Sequence, residues 1–219
     1  MNSGEPFLDE SPGEPSVRGF IHRASKPFAG LVLTHGAGGN CNAPLLVALA
    51  QTFSADGITV LRCDLPFRQK RPHGPPSPAS AKEDQAGLRR AVMSLQKLTG
   101  GKVGLGGQSY GGRQASMLCA AESGLVRALL LLSYPLHPPG KPQQLRTAHL
   151  PYLQTPTLFV SGTKDPFGTI AELETARKLI PASTQLISME GAGHSLLTKK
   201  NQAELVSSVV AAFREMMAV

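Results

Sequence analysis

The chain is best understood outward from one segment, Gly104-Leu105-Gly106-Gly107-Gln108-Ser109-Tyr110-Gly111-Gly112-Arg113. Residues 102–105 before the turn are typical of a short buried strand, and residues 113–122 after it are typical of a helix. Between them, residues 107–111 fit G-x-S-x-G, in which a serine occupies a sharp strand-to-helix turn. The glycines are needed because a Cβ would keep the strand and helix apart. The segment therefore predicts a nucleophilic serine, Ser109, beside backbone N–H groups that favour negative charge.

The composition predicts a single globular domain. The chain has 219 residues, of which 41% are hydrophobic and 17% charged, enough to bury a substantial core. Residues 1–16 are rich in proline, glycine and acidic side chains, so we expect a flexible leader there and one domain over 17–219.

The charge and cysteine content argue against several functional classes. The net charge is +7, but the basic residues are dispersed and there are only 3 Tyr, 8 Phe and no Trp, so we expect no nucleic-acid binding. The longest apolar run, residues 128–132, is too short to cross a membrane. Three scattered cysteines and the lack of a signal-peptide pattern predict no disulfide framework, no metal site and a cytoplasmic location.

Apolar segments of strand length alternate with segments of helical periodicity, which indicates the α/β class with a mostly parallel sheet and helices on both faces. The predicted strands cover 17–23, 31–34, 58–65, 102–105, 126–133, 157–161 and 185–189. The predicted helices cover 43–53, 88–98, 113–122, 170–179 and 205–217. Polar residues that come directly after parallel strands gather at one edge of such a sheet.

Two of these polar residues suit Ser109 as catalytic partners. A serine nucleophile needs a general base and a group that orients the base. His194 comes after the last predicted strand and Asp165 after the strand before it. The chain order Ser109, Asp165, His194 is that of α/β-hydrolases. Asp64 also comes after a strand, but it precedes Ser109, and we expect it to shape the turn around residues 64–68.

An oxyanion formed at Ser109 needs hydrogen-bond donors. The backbone N–H of Tyr110, the residue after the nucleophile, is one candidate. The second is expected from the Gly-rich loop 35–40, where the Ala37 amide is preferred and that of Gly38 is the alternative. His35 is expected to organise this loop through hydrogen bonds.

Other polar residues receive structural interpretations. Arg113 is expected to form a structural ion pair or hydrogen bond rather than to contact substrate. Cys41 lies near a predicted helix start, which would lower the pKa of its thiol, but an inert buried thiol is preferred. The basic residues of the Pro-rich loop are interpreted as solvated, with attraction of an anionic substrate as the alternative; they are Arg68, Lys70, Arg71 and His73. The Gly-rich stretches complete neither G-x-G-x-x-G nor G-K-[ST], so nucleotide binding is rejected.

Several motifs resemble those of a known superfamily. They lie at 35–40, 64–69, 107–113, 134–142 and 162–168. With them, the chain from about residue 31 to 194 resembles the α/β-hydrolase superfamily. More narrowly, it resembles the small capless dienelactone-hydrolase-like family grouped with a testis-expressed protein and a subunit of a histone-acetyltransferase complex. The resemblance implies a hydrolase fold without a large cap domain and a hydrolase-like triad. Dienelactone hydrolases use a cysteine nucleophile, so their activity is not implied for a chain with Ser109.

Together these features predict a serine hydrolase of the carboxylesterase or thioesterase type, which cleaves a small ester or thioester. No organic cofactor or metal is required by this chemistry. The short connection over residues 134–155, where larger relatives insert a lid, predicts an open site. The alternative, kept by the resemblance because some relatives are regarded as interaction subunits, is a catalytically weak or inactive module with a protein partner.

Overall fold

An eight-stranded sheet forms the centre of the computed structural model, which describes residues 4–198 and 200–218. The strands are β1 (Glu5–Asp9), β2 (Val17–His22), β3 (Ala29–Thr34), β4 (Ile58–Cys63), β5 (Val103–Gln108), β6 (Leu129–Leu132), β7 (Thr157–Gly162) and β8 (Thr184–Met189). The helices are α1 (Pro44–Ala55), α2 (Pro66–Lys70), α3 (Ser80–Thr99), α4 (Tyr110–Ala121), α5 (Ile170–Arg177) and α6 (Gln202–Ala218), with a 3₁₀ turn at Leu150–Tyr152.

The strand order across the sheet is β1-β2-β4-β3-β5-β6-β7-β8. The six strands from β4 to β8 in this order are parallel, whereas β2 runs antiparallel to β4 and β1 antiparallel to β2. The predicted mostly parallel sheet of an α/β-hydrolase is therefore confirmed. All parallel strands point their carboxyl ends to the same edge, and Ser109, Asp165 and His194 lie there.

Helices cover both faces of the sheet, as predicted. Apolar side chains of α3, α4 and α5 pack on one face, and those of α1 and α6 pack on the other. Strand β5 is glycine-rich because its neighbours approach closely: a Cβ at Gly104 would lie 2.8 Å from the Phe213 ring, and one at Gly106 would lie 2.8 Å from Leu33. Because helices cover both faces, the central strands are buried on both sides, which explains their nearly continuous apolar sequences.

The N-terminal segment differs from the expectation of a flexible leader over residues 1–16. Residues 1–3 lie outside the described residues, but Glu5–Asp9 forms strand β1 at the sheet edge. The Asp9 carboxylate accepts hydrogen bonds from Arg90, at 2.5 Å, and from Ser94, both on α3, and Phe7 packs against the core. The composition predicted a leader, whereas the strand is ordered by its pairing with β2 and by the contacts of Asp9 with α3, about 80 residues away.

The connection between β6 and β7 carries no inserted cap domain, and its regular structure is the 3₁₀ turn. Among the described helices, none combines the length and apolar character that crossing a bilayer requires.

Candidate active site

Ser109 occupies the turn between β5 and α4, with Gln108 ending the strand and Tyr110 beginning the helix. Its backbone has φ 51° and ψ −116°, a conformation that costs a residue with a Cβ about 1–3 kcal/mol. A Cβ at Gly107 would lie 2.5 Å from the backbone of Gly111, and one at Gly111 would collide with the carbonyl oxygen of His35. The glycines are therefore required for the steric reason inferred from the sequence.

The structure brings Ser109, His194 and Asp165 into one hydrogen-bonded chain. Ser109 Oγ lies 2.8 Å from His194 Nε2, and His194 Nδ1 lies 2.9 and 3.0 Å from the two carboxylate oxygens of Asp165. Because a carboxylate accepts, Nδ1 carries the proton and Nε2 is free to accept the serine hydroxyl. The Asp165 side chain is only 1% exposed, and it also accepts the N–H of Phe167 at 2.9 Å.

The loops that carry Asp165 and His194 are joined directly through their backbones. The Lys164 N–H donates to the Ala192 carbonyl at 2.9 Å, and the Gly191 N–H donates to Thr163 Oγ1, also at 2.9 Å. A Cβ at Gly162 would lie 2.5 Å from the Ala192 carbonyl carbon. The closeness of the carboxylate and the imidazole thus depends on a glycine at the end of β7.

The Gly-rich loop after β3 packs against Ser109. A Cβ at Gly36 would lie 3.3 Å from Ser109 Cβ. Buried His35 donates from Nδ1 to the Gly36 carbonyl at 2.8 Å and accepts the Leu65 N–H at Nε2 at 3.1 Å. Burial lowers the pKa of His35, which favours this neutral form. His35 therefore organises the loop, as its position in the sequence indicated.

The two candidate oxyanion donors lie beside Ser109 in the same cavity, which Ala37 and Tyr110 both line. Neither backbone amide donates a hydrogen bond to any other residue in the described ranges. An amide without a partner in the protein is available to a developing anion.

Arg68 was missed as a residue of this site. Its guanidinium is buried and donates to the carbonyl oxygens of Ala37 at 2.7 Å, Gly39 at 2.8 Å and Gly74 at 3.1 Å. The interpretation of Arg68 as a solvated loop residue is wrong, because its side chain is buried and binds the carbonyl groups of the Gly-rich loop. Sequence offered no signal, since 29 residues separate Arg68 from Gly39.

Tyr110 is held by a second network that sequence did not indicate. Its hydroxyl donates to Asp84 Oδ2 at 2.7 Å, and Asp84 Oδ1 accepts the N–H of Phe67 at 3.0 Å. Burial raises the pKa of the Asp84 carboxyl. Asp84 lies within α3 among ordinary helix residues, so nothing in the local sequence singles it out.

The contacts of Asp64 and Cys41 indicate structural rather than catalytic roles. Asp64 Oδ1 accepts the Cys41 N–H at 2.7 Å and lies 3.5 Å from Nε2 of His35, so its contacts are in the turn rather than with His194. Burial raises the pKa of the Cys41 thiol to about 12. The thiol is therefore protonated at neutral pH, and the interpretation of Cys41 as an inert buried residue is the one that fits.

Ser109 and His194 open into a cavity of about 730 Å³. Its other walls include the proline-rich loop 75–78, Phe167, Arg113 and Arg146. In the described ranges, Arg113 forms neither the ion pair nor the side-chain hydrogen bond expected of it, and its buried Nε has no partner. That expectation is therefore wrong.

Solved structures share this architecture at low sequence identity. Est1E from Butyrivibrio proteoclasticus aligns with a TM-score of 0.77 at 16% identity, covering 99% of this chain and 100% of that one. A dienelactone hydrolase from Anabaena variabilis aligns with a TM-score of 0.76 at 21% identity, covering 96% and 98% of the two chains. XC6422 from Xanthomonas campestris, described as a serine hydrolase without lid, aligns with a TM-score of 0.75 at 15% identity, covering 100% and 97%.

The structural matches are below 25% identity and establish the fold alone. The sequence itself goes further, because residues 27–218 match the family described as alpha/beta hydrolase domain. This match spans the sheet from β3 onward, including the Ser109 turn and the loops of Asp165 and His194. The chain therefore belongs to the alpha/beta hydrolase domain family.

Proposed function

We propose that this protein is a serine hydrolase that cleaves a small ester or thioester by acyl transfer. The observation that carries the proposal is the unbroken chain from Ser109 Oγ through the His194 imidazole to the buried Asp165 carboxylate, with contacts of 2.8–3.0 Å. A serine is a weak nucleophile unless a positioned base removes its proton. This geometry supports His194 as the base and Asp165 as the group that fixes its tautomer.

In the proposed reaction, Ser109 Oγ attacks the carbonyl carbon while His194 Nε2 takes the hydroxyl proton. The carbonyl π electrons move to oxygen, and the amides of Ala37 and Tyr110 stabilise that oxyanion. The tetrahedral intermediate collapses, and His194 returns the proton to the leaving alcohol or thiol. Water then attacks the acyl-serine by the same route, which releases the acid and restores Ser109.

Asp165 stabilises the imidazolium that forms in each half of this reaction. Its carboxylate faces Nδ1 and is shielded from water, so the attraction is weakly screened. No step requires a metal or an organic cofactor. The open cavity and the uncapped connection support a small or flexible substrate.

We also propose that the chain is related to the dienelactone-hydrolase-like group. That group includes a testis-expressed protein and a histone-acetyltransferase subunit. A serine at position 109 argues against dienelactone hydrolysis itself. We place the activity in the cytoplasm on the basis of the cysteine content, since three scattered cysteines suit a reducing compartment.

A fluorophosphonate probe and a series of 4-nitrophenyl esters of increasing acyl length test the proposal. We expect the wild-type protein to be labelled and to cleave at least one ester. Ser109→Ala should abolish labelling and reduce turnover by about 10⁵-fold or more, and Asp165→Asn should reduce it by about 10⁴-fold. The exposed Ser123→Ala is the matched control.

A folded wild-type protein that neither reacts with the probe nor cleaves any ester of the series would overturn the proposal. A stoichiometric protein partner retained by Ser109→Ala, together with such inactivity, would favour the interaction module instead.

A further inference from the structure

Two arginines share the cavity with Ser109 and His194. Arg113 lies in the first turn of α4, four residues after Ser109, and Arg146 lies in the connection between β6 and β7. The backbone of Arg146 is held in place, because its N–H donates to Leu136 at 2.8 Å and its carbonyl accepts the Tyr134 hydroxyl at 2.7 Å. Both cationic side chains are therefore presented to the cavity from fixed positions.

Neither arginine has an anionic partner in the part of the chain that the structure describes. The Arg146 guanidinium donates to the Pro135 carbonyl at 3.2 Å, and the buried Nε of Arg113 has no hydrogen-bond partner. Arg90, which is more deeply buried than these two half-buried arginines, pairs with Asp9 and Glu14. A partly buried charge without a counter-ion is unfavourable unless something else supplies the opposite charge.

Among the described residues, the titratable side chains that act on the two arginines are His149, Tyr110 and Tyr134, and they add no negative charge at neutral pH. His149 Nε2 lies 2.8 Å from Ser116 Oγ, and burial raises the pKa values of the Tyr110 and Tyr134 phenols, so both stay neutral. Burial and the adjacent Arg113 lower the pKa of His149 to about 4. Burial and Arg113 likewise lower the pKa of Arg146, because two cations in one cavity repel each other. An anion entering between them would relieve both effects.

We infer that the substrate carries an anionic oxygen group, a carboxylate or a phosphate, which Arg113 and Arg146 bind while its ester or thioester carbonyl lies at Ser109. This inference rests on the proposed hydrolase function and adds the class of substrate. The guanidinium suits it, because its planar set of N–H donors matches the paired oxygens of a carboxylate or phosphate.

Pairs of esters that differ in one charge test the inference. 4-Nitrophenyl hydrogen adipate and its methyl ester place the charge on the acyl side, and 4-acetoxybenzoate and its methyl ester place it on the alcohol side. 4-Acetoxyphenyl phosphate replaces the carboxylate by phosphate and so distinguishes the two anions. We expect wild-type kcat/KM to be at least about tenfold higher for the anionic member of one pair.

This preference should fall about tenfold or more in Arg146→Gln and in Arg113→Gln, mainly through KM. Arg146→Lys, which keeps the charge but not the planar donors, should fall between the wild type and Arg146→Gln. The control is Arg127→Gln, an exposed arginine before β6 at the other end of the sheet, which should keep the wild-type preference. Arg146→Gln alone suffices if Arg113→Gln does not fold.

Cleavage of the neutral esters with no preference for any anionic partner would overturn the inference and leave the hydrolase proposal standing. If no ester is cleaved, the hydrolase proposal fails, and calorimetric titration of Ser109→Ala with monomethyl adipate and with phenyl phosphate decides the anion site. Binding that disappears in Ser109→Ala/Arg146→Gln supports the site, and no binding up to about 10 mM of either probe overturns it.

Discussion

The ring of Phe167 stacks on the imidazole of His194, with 4.1 Å between ring centroids and 28° between ring planes. The same residue donates its backbone N–H to Asp165. Phe167 therefore contacts both partners of Ser109, and it holds the imidazole in the plane that faces the hydroxyl and the carboxylate.

We expect Phe167→Leu to lower kcat for a neutral ester by about tenfold, because a stack of this kind contributes about 0.5–1.5 kcal/mol to the position of the ring. Phe167→Tyr keeps an aromatic face and should retain most of the activity. Steady-state kinetics of both variants provide the check. A leucine variant with wild-type kcat would show that the imidazole is positioned without the ring.

Arg68→Met should lower kcat by about 10–100-fold with a smaller change in KM. The guanidinium holds the carbonyls of Ala37 and Gly39, so its removal displaces the proposed oxyanion donor, and such a donor is worth about 10²–10³ in kcat. Arg68→Lys should restore little, since one ammonium group does not reproduce the planar fork. Arg89→Met, which removes an exposed arginine from α3, is the control. If kcat of the Arg68 variants falls only as far as the fraction of folded protein falls, the role of Arg68 is purely structural.

Gly162→Ala should destabilise the protein by about 3 kcal/mol, because the added Cβ would overlap the backbone of Ala192. It should also separate the Asp165 and His194 loops and so reduce activity in the fraction that remains folded. Gly101→Ala is the matched control, since a Cβ there would contact only the Thr99 carbonyl, at 4.0 Å. Thermal unfolding distinguishes the two variants, and similar melting temperatures would contradict the assigned contact.

Stability should decrease as the pH falls from about 6.5 to 4. Burial lowers the pKa of His22 from 6.5 to about 4, and its Nε2 accepts the Arg62 Nε–H at 3.0 Å. Between these pH values the unfolded chain binds a proton that the folded protein excludes, so acid favours unfolding. His22→Gln should remove roughly 1–2 kcal/mol of the loss between pH 7.5 and 5.

Denaturant unfolding at the two pH values measures this difference, and the exposed His73→Gln is the control. An identical fall in stability for the wild type and His22→Gln would show that this imidazole does not contribute.

The sequence was sufficient to identify seven of the eight strands and the three residues that the structure brings together. Ser109, Asp165 and His194 each come after a strand, and parallel strands bring the residues at their carboxyl ends to one edge, whatever their separation along the chain. The strand boundaries were less well placed, since β5 continues to Gln108 and α4 begins at Tyr110 rather than at Arg113. The spacing of the glycines predicts the position of the turn, but not where the strand before it ends or where the helix after it begins.

The remaining features depend on contacts between residues that are distant in sequence and carry no local signal. Strand β1, which pairs with β2, is joined to α3 through Asp9 and Arg90, 81 positions apart, and Arg68 holds the Gly-rich loop. Arg113 and Arg146 line one cavity only after the connection between β6 and β7 has folded against α4. The periodicity of apolar residues indicates which face of a helix or strand is buried. Which group lies next to a buried charge depends on the packing of the whole chain.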